Sequence, residues 1–222
     1  MVLSPSIKNQ AGISLISLMV GVTISLISAV AMLNMYRHSI GISINTKQMS
    51  VQDGERSSAM TIAPLLLQDA GFGINNAAVS SNIIALSGAS LAGNTLSGTV
   101  GGANANALIW RFNTSGTTQC SALISNATQG LLLLGPVNCT NISDWSGPIW
   151  TTSRALASKS TKDTKGTKDT KGTFSFTLST VANCTQFGYS SGGRATVLIS
   201  SNNANEIQVN SQSCLSNLVT AP

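Results

Sequence analysis

Hydrophobic and polar positions divide the chain into three regimes. Residues 11–36 carry no charge and are rich in Ile, Leu, Val and Met, with Lys8 just before the run and Arg37 ending it. As a helix this run would be about 39 Å long, enough to cross a bilayer's hydrocarbon core with some tilt. From Tyr36 onward the pattern is mixed. Tyr36, Ile40, Ile44, Val51, Ser58 and Ile62 approximate a stripe at helical spacing, with Lys47, Asp53, Glu55 and Arg56 around it. Gly41 and Gly54 weaken such a helix by about 1 kcal/mol each. Pro64 is expected to kink or restart it, and Gly71 to stop it. The alternation of Ile40, Ile42 and Ile44 is a strand-like counter-signal. The pattern predicts one long, bent helix from Ile13 to about Asp69, its second half packed on a globular head.

Past Phe72 the chain switches to short apolar runs separated by Gly, Asn and Ser clusters. Strands are expected at Asn82–Leu86, Ala107–Asn113, Ser121–Ser125, Leu131–Leu134, Thr173–Ser179, Ala195–Ser200 and Glu206–Asn210. Phe174, Phe176 and Leu178 alternate with polar residues, as on a half-buried strand. Such spacing indicates an antiparallel sheet rather than βαβ units. The fold class is therefore α+β: a long amino-terminal helix on an antiparallel β head.

The four cysteines, Cys120, Cys139, Cys184 and Cys214, form no CxxC pair, and the single histidine, His38, lies far from them. Zinc sites want clustered Cys and His at short spacing, so no metal site is expected. An even count in an exported chain fits disulfides, and four cysteines allow three connectivities. The pairing Cys120–Cys139 and Cys184–Cys214 is favoured because both loops are short.

Composition narrows the function. Charged residues make up 9% of the 222 positions, against about 25% in ordinary soluble domains. Ser, Thr, Asn and Gly fill the gap, giving a neutral, hydroxyl-rich surface suited to an extracellular object. The net charge of +5 is concentrated: Lys159, Lys162, Lys165, Lys168 and Lys171 against Asp163 and Asp169 supply +3 of it. The expected reading is a solvated loop, with a weak phosphate or polyanion contact as the alternative; the run lacks the basic face interleaved with aromatics that binds nucleic acid. Within it, residues 161–166 (TKDTKG) recur unchanged as residues 167–172. A duplication without apolar residues builds no core, so the segment 159–172 is expected to be an exposed loop before a strand.

Enzyme readings find no support. No G-x-S-x-G, P-loop or G-x-G-x-x-G lies between a strand and a helix, no pair of acids adjoins a base, and His38 sits just outside the apolar run. No cofactor is expected. The N-x-Ser/Thr patterns at Asn113, Asn126, Asn138, Asn141 and Asn183 are attributed to composition.

Two readings of the amino terminus compete. One is a secretory signal peptide with its cleavage site at Ser28-Ala29-Val30-Ala31, leaving a secreted adhesin or binding protein that begins after Ala31. The other rests on Lys8-Asn9-Gln10-Ala11-Gly12 followed by Ile13-Ser14-Leu15-Ile16-Ser17-Leu18-Met19-Val20, which resembles the processing site of type IV prepilins. Gln52–Arg56, the segment Leu65–Gly73 with its Asp-Ala-Gly-Phe, and Asn106–Phe112 resemble the matching parts of PilW-like minor pilins. The likeness covers the first ~75 residues best, where the family's helical stretch ends in an acidic residue followed by Ala-Gly-Phe, and it weakens after residue 115. It implies residues 1–12 as a leader cut between Gly12 and Ile13 by a prepilin peptidase, with methylation of the new amine. It also implies 13–36 as a transmembrane and filament-core helix, 37–72 as its amphipathic continuation and 73–222 as the β-rich head. Implied partners are other pilin subunits, membrane lipid before assembly and an inner-membrane assembly platform. The implied location is the inner membrane and then an extracellular pilus, with a minor subunit expected and a major subunit as the alternative.

One departure from the family matters. Its members usually carry glutamate at the fifth mature position, where this chain has Ser17. The α-amine created at Ile13 has a reference pKa of about 7.7–8.0 and is largely cationic at neutral pH. Burying it in an apolar bundle is costly unless an anion pairs with it, and a serine hydroxyl cannot neutralise a charge. A tip position, where no earlier subunit needs that anion, would account for the serine; packing alone is the other account. The same helix places Ser17, Gly21, Ser25 and Ala29 every four residues, on one face. Small residues so spaced let two apolar helices approach closely.

Overall fold

The computed structural model describes residues 14–101, 105–126, 129–147, 149–158, 173–186, 189–202 and 208–219. The expected processing site at Gly12 and Ile13 and the duplicated segment 159–172 lie outside these residues. Two compact units divide the chain, Met1–Gln48 and Met49–Pro222.

Apart from Ser14, the described part of the first unit is helix α1, which spans Leu15–Leu67 and so continues into the second unit. The helix runs unbroken through Gly41, Gly54 and Pro64, and the Ile40, Ile42, Ile44 alternation is helical rather than strand. Period-two patterning over three residues loses to the helical propagation of the flanking sequence.

In the second unit the end of α1 packs on two antiparallel sheets. The larger contains β1 (Ile83–Ala92), β2 (Thr95–Val100), β3 (Ala107–Asn113), β4 (Thr118–Asn126), β5 (Gly130–Asn138) and β6 (Ser153–Ala157), in the order β2-β1-β3-β4-β5-β6. The smaller contains β7 (Thr173–Gln186), β8 (Tyr189–Asn202) and β9 (Gln208–Leu215), in that order. All pairings between these strands are antiparallel. The α+β class is thus present, with two sheets where the sequence pattern suggested one.

The larger sheet is covered on both faces. On one face, Ile83, Leu108, Trp110 and Leu123 share a core with Ala59, Met60, Ala63 and Leu67 of α1 and with Phe174, Phe176, Val197 and Ile199 of the smaller sheet. On the other, Ile84, Ile109, Ala122, Ile124 and Leu134 meet Leu96, Ile142 and Trp150. Double burial explains why Ile83–Leu86, Ala107–Trp110 and Ser121–Ser125 read as continuous apolar or small runs rather than alternations. The smaller sheet does alternate: Phe174 and Phe176 are buried, Ser175 and Thr177 only partly.

The two strands without a sequence forecast, β2 and β6, are the outer strands of the larger sheet. Each buries a single side chain, Leu96 in β2 and Ala157 in β6. One buried residue makes no period, so their position is set by backbone pairing to β1 and β5. The forecast strands are found among the described residues, Glu206 and Ile207 of the last lying outside these, and β7, β8 and β9 extend well beyond the apolar runs that marked them.

Both disulfides form as expected. Cys120–Cys139 ties β4 to the residue after β5, and Cys184–Cys214 ties β7 to β9, with no free cysteine among the described residues. Gly71 ends the helical region with φ +78, a conformation that L side chains rarely adopt. A Cβ there would lie 2.8 Å from Leu218 Cδ2 and 2.9 Å from the Ala77 Cβ. The Gly71 N–H donates to the Arg111 carbonyl and Asn113 N–H to the Phe72 carbonyl, both at 2.8 Å, so the turn is sewn onto β3.

Candidate assembly helix and its anchorage

Within the first unit, the apolar part of α1 has no cover. Leu15, Met32 and Met35 are 74%, 74% and 78% exposed, and every residue from Leu15 to Ile40 is exposed. Apolar residues lie on all sides of this stretch rather than in one stripe. A helix apolar all round belongs in a packed interior or a membrane. Among the described residues it is the one helix long and apolar enough to cross a bilayer, and none of its most apolar stretch is buried.

Its polar side chains suit an apolar setting. Thr23 Oγ1 donates to the Val20 carbonyl and Ser28 Oγ to the Ile24 carbonyl, both at 2.9 Å. These back-bonds satisfy the hydroxyls inside the helix itself, which matters where no water is present. Ser17, Gly21, Ser25 and Ala29 are all exposed on one helical face, and a Cβ on Gly21 would meet nothing within 4 Å. The structure therefore places the small-residue face together and leaves it open.

In the second unit the helix is held by a different face from the one its pattern suggested. Val51, 53% exposed, and Ser58 point away from the head, and Ile62 is only partly covered; the stripe that included them is not the packing face. Arg56, Ala59, Met60, Ala63 and Leu67 are buried instead. The spacing i, i+3, i+4, i+7 is helical, but two alanines and an arginine carry little apolar signal, so the pattern favoured the larger residues of another face.

Arg56 is the unexpected member of that face. It is 9% exposed, and its Nε donates to Ser201 Oγ at 2.6 Å while Nη2 donates to the Ser201 carbonyl. Burial holds the guanidinium below its usual pKa, and Asp53 one turn away opposes that shift. Glu55, on a neighbouring position, accepts from the Ser158 N–H at 2.8 Å and from its hydroxyl. The two donors of Ser158, hydroxyl first, hold the Glu55 carboxyl below the ordinary range. Further along, Gln68 Nε2 donates to Ser213 Oγ at 2.9 Å and to the Cys214 carbonyl at 3.1 Å. The helix is thus pinned to β8, β9 and the end of β6 through Ser201, Ser213 and Ser158. None of these serines stands out in a chain so rich in serine.

Among the described residues no group of three or more His, Cys, Asp or Glu side chains is placed to hold a metal ion. No protein family, curated protein or solved structure matches this chain.

Proposed function

We propose that the chain is a structural subunit of a type IV pilus or pseudopilus-type filament, held in the inner membrane by the amino-terminal part of α1 and then polymerised outward through it. The observation that carries this reading is the uncovered apolar stretch of α1, continuous as one helix with the segment that enters the head core. Exposing this much apolar surface to water is unfavourable at about 25 cal/mol per Å², so lipid and then neighbouring subunits are its natural surroundings. Ser17, Gly21, Ser25 and Ala29 form the face along which another apolar helix approaches. Prepilin peptidase, the assembly platform and other pilins are the corresponding partners. Ser17 in place of glutamate favours a minor, tip-associated subunit over a major one.

Mass spectrometry of the mature protein tests the reading. A methylated amino terminus at Ile13 is the expected result. A chain beginning at Met32 overturns it and leaves a secreted binding protein. Subunit counting in sheared filaments separates minor from major, and Ser17→Glu is expected to move the subunit from the tip into the shaft. Unchanged placement removes the tip assignment while leaving the filament role intact.

A further inference from the structure

Between α1 and β9 the second unit has an open cleft of about 410 Å³, within the range of about 300–1,000 Å³ that small-molecule sites occupy; Asp53, Ser57 and Asn210 line it from exposed positions and Arg56 from a buried one. Asp53, Arg56 and Ser57 supply its helix wall, Asn210 its strand wall, and Met60 and Val209 an apolar patch. Arg56 is more than nine-tenths buried there and pinned by Ser201, so its position is fixed before any ligand arrives.

The lining selects among ligand classes. A free anion meets the Asp53 carboxylate, and a free cation meets the Arg56 guanidinium. A purely apolar molecule would displace water from the polar wall without replacing the hydrogen bonds that water makes there. A neutral molecule rich in hydroxyls satisfies every wall at once. Its O–H groups donate to Asp53, its oxygens accept from the Asn210 amide and the Ser57 hydroxyl, and its C–H face lies on Met60 and Val209. A zwitterion would balance the two charges but leave the hydroxyl and amide groups unused; Thr61 and Ser211 add two more of these to the lining.

We propose that this cleft binds a neutral sugar of one or two pyranose rings. The proposal stands independently of the filament reading, since it concerns the second unit alone.

Saturation-transfer NMR and calorimetric titration test it on the full chain in zwitterionic micelles, because sugar-headed detergents would compete. The probes are neutral hexoses, N-acetylhexosamines and their disaccharides, with glucuronic acid and glycine as the anionic and zwitterionic comparators. At least one neutral sugar is expected to bind, and Asp53→Asn and Asn210→Ala each to weaken it by about tenfold with thermal unfolding unchanged. Should either variant unfold, Ser57→Ala on the exposed helix surface provides the same readout. The proposal is overturned if no neutral sugar binds at millimolar concentration, if the folded variants bind as tightly as the parent, or if only glucuronate or glycine binds.

Discussion

Arg56 and Ser201 meet across 145 intervening sequence steps, with Arg56 Nε donating to Ser201 Oγ at 2.6 Å. The guanidinium also reaches the Ser201 carbonyl, so a single serine receives two bonds from one buried cation. This contact ties the last part of the long helix to the central strand of the smaller sheet. Hydrogen bonds to charged groups contribute about 1.5–3 kcal/mol each. Arg56→Met, which keeps much of the packing but no donor, is expected to destabilise the second unit by about 2 kcal/mol. Denaturant unfolding of the purified variant measures this, and a change within experimental error would show that the pair is geometrically tidy but energetically neutral.

Glu55 and Ser158 supply a pH-dependent latch. The folded-state pKa of Glu55 lies below its ordinary value of 4.5, first through the Ser158 hydroxyl and then through its N–H. A depressed carboxylate contributes stability that is present above the unfolded pKa and lost as pH falls through the folded value. The stability difference between the parent and Glu55→Gln is therefore expected to be constant near neutrality and to shrink below about pH 4.5. Ser158→Ala should move the Glu55 titration, followed by carboxyl NMR, back toward its ordinary range. A titration that does not move would show that the bond does not persist in solution.

The disulfides staple different parts of the head, closing separations of 19 and 30 residues. In the chain-entropy account each stabilises the fold by about 3 kcal/mol. Cys120→Ser with Cys139→Ser, and Cys184→Ser with Cys214→Ser, should each lower the unfolding free energy by roughly that amount. Peptide mapping without reduction should return the same two pairs; a crossed pairing would contradict the structure.

Two glycines should behave oppositely. Gly71 has φ +78 and neighbours within 3 Å of a would-be Cβ, so Gly71→Ala is expected to cost about 1–3 kcal/mol. Gly21 has open space around its would-be Cβ, so Gly21→Leu should leave head stability unchanged. In the filament reading, the same Gly21→Leu change should weaken assembly while sparing membrane insertion. Thermal unfolding and pilus shearing assays read the two effects separately.

Trp110 and Phe176 are both core residues, yet truncation should affect them differently. Phe176 is fully buried among apolar neighbours, and Phe176→Ala should cost about 3–5 kcal/mol through cavity formation. Trp110 is 1% exposed, and its Nε1 has no hydrogen-bond partner among the described residues. Trp110→Phe loses volume but also removes a buried unpaired donor, terms of about 1–3 kcal/mol each and of opposite sign. The net change is expected to stay under about 1.5 kcal/mol. A much larger loss by calorimetry would mean that the indole N–H is in fact satisfied in solution.

Much of the architecture was legible because its signals are local or cumulative. The uncharged run from Ala11 to Tyr36 announces a helix because no charge interrupts it, and it is helical from Leu15 on. Apolar runs such as Ala107–Trp110 and Leu131–Leu134 mark strands because sheet interiors demand bulky side chains. Short cysteine spacings favour the nearest partners, and both pairs form. Gly71 was readable as a stop because few other residues tolerate its backbone angle.

Tertiary structure alone decided the rest. Which face of α1 enters the head depends on what faces it, and Ala59 and Ala63 are chosen because small residues let the sheets approach. Strands β2 and β6 form because β1 and β5 offer unpaired edges, a condition that Thr95–Val100 and Ser153–Ala157 do not encode by themselves. Arg56 is buried because Ser201 lies opposite it, and the cleft beside it exists only once α1 and β9 are side by side. Local sequence carries propensity and period, whereas partnership between residues 145 positions apart arises only when the folded chain brings them into reach.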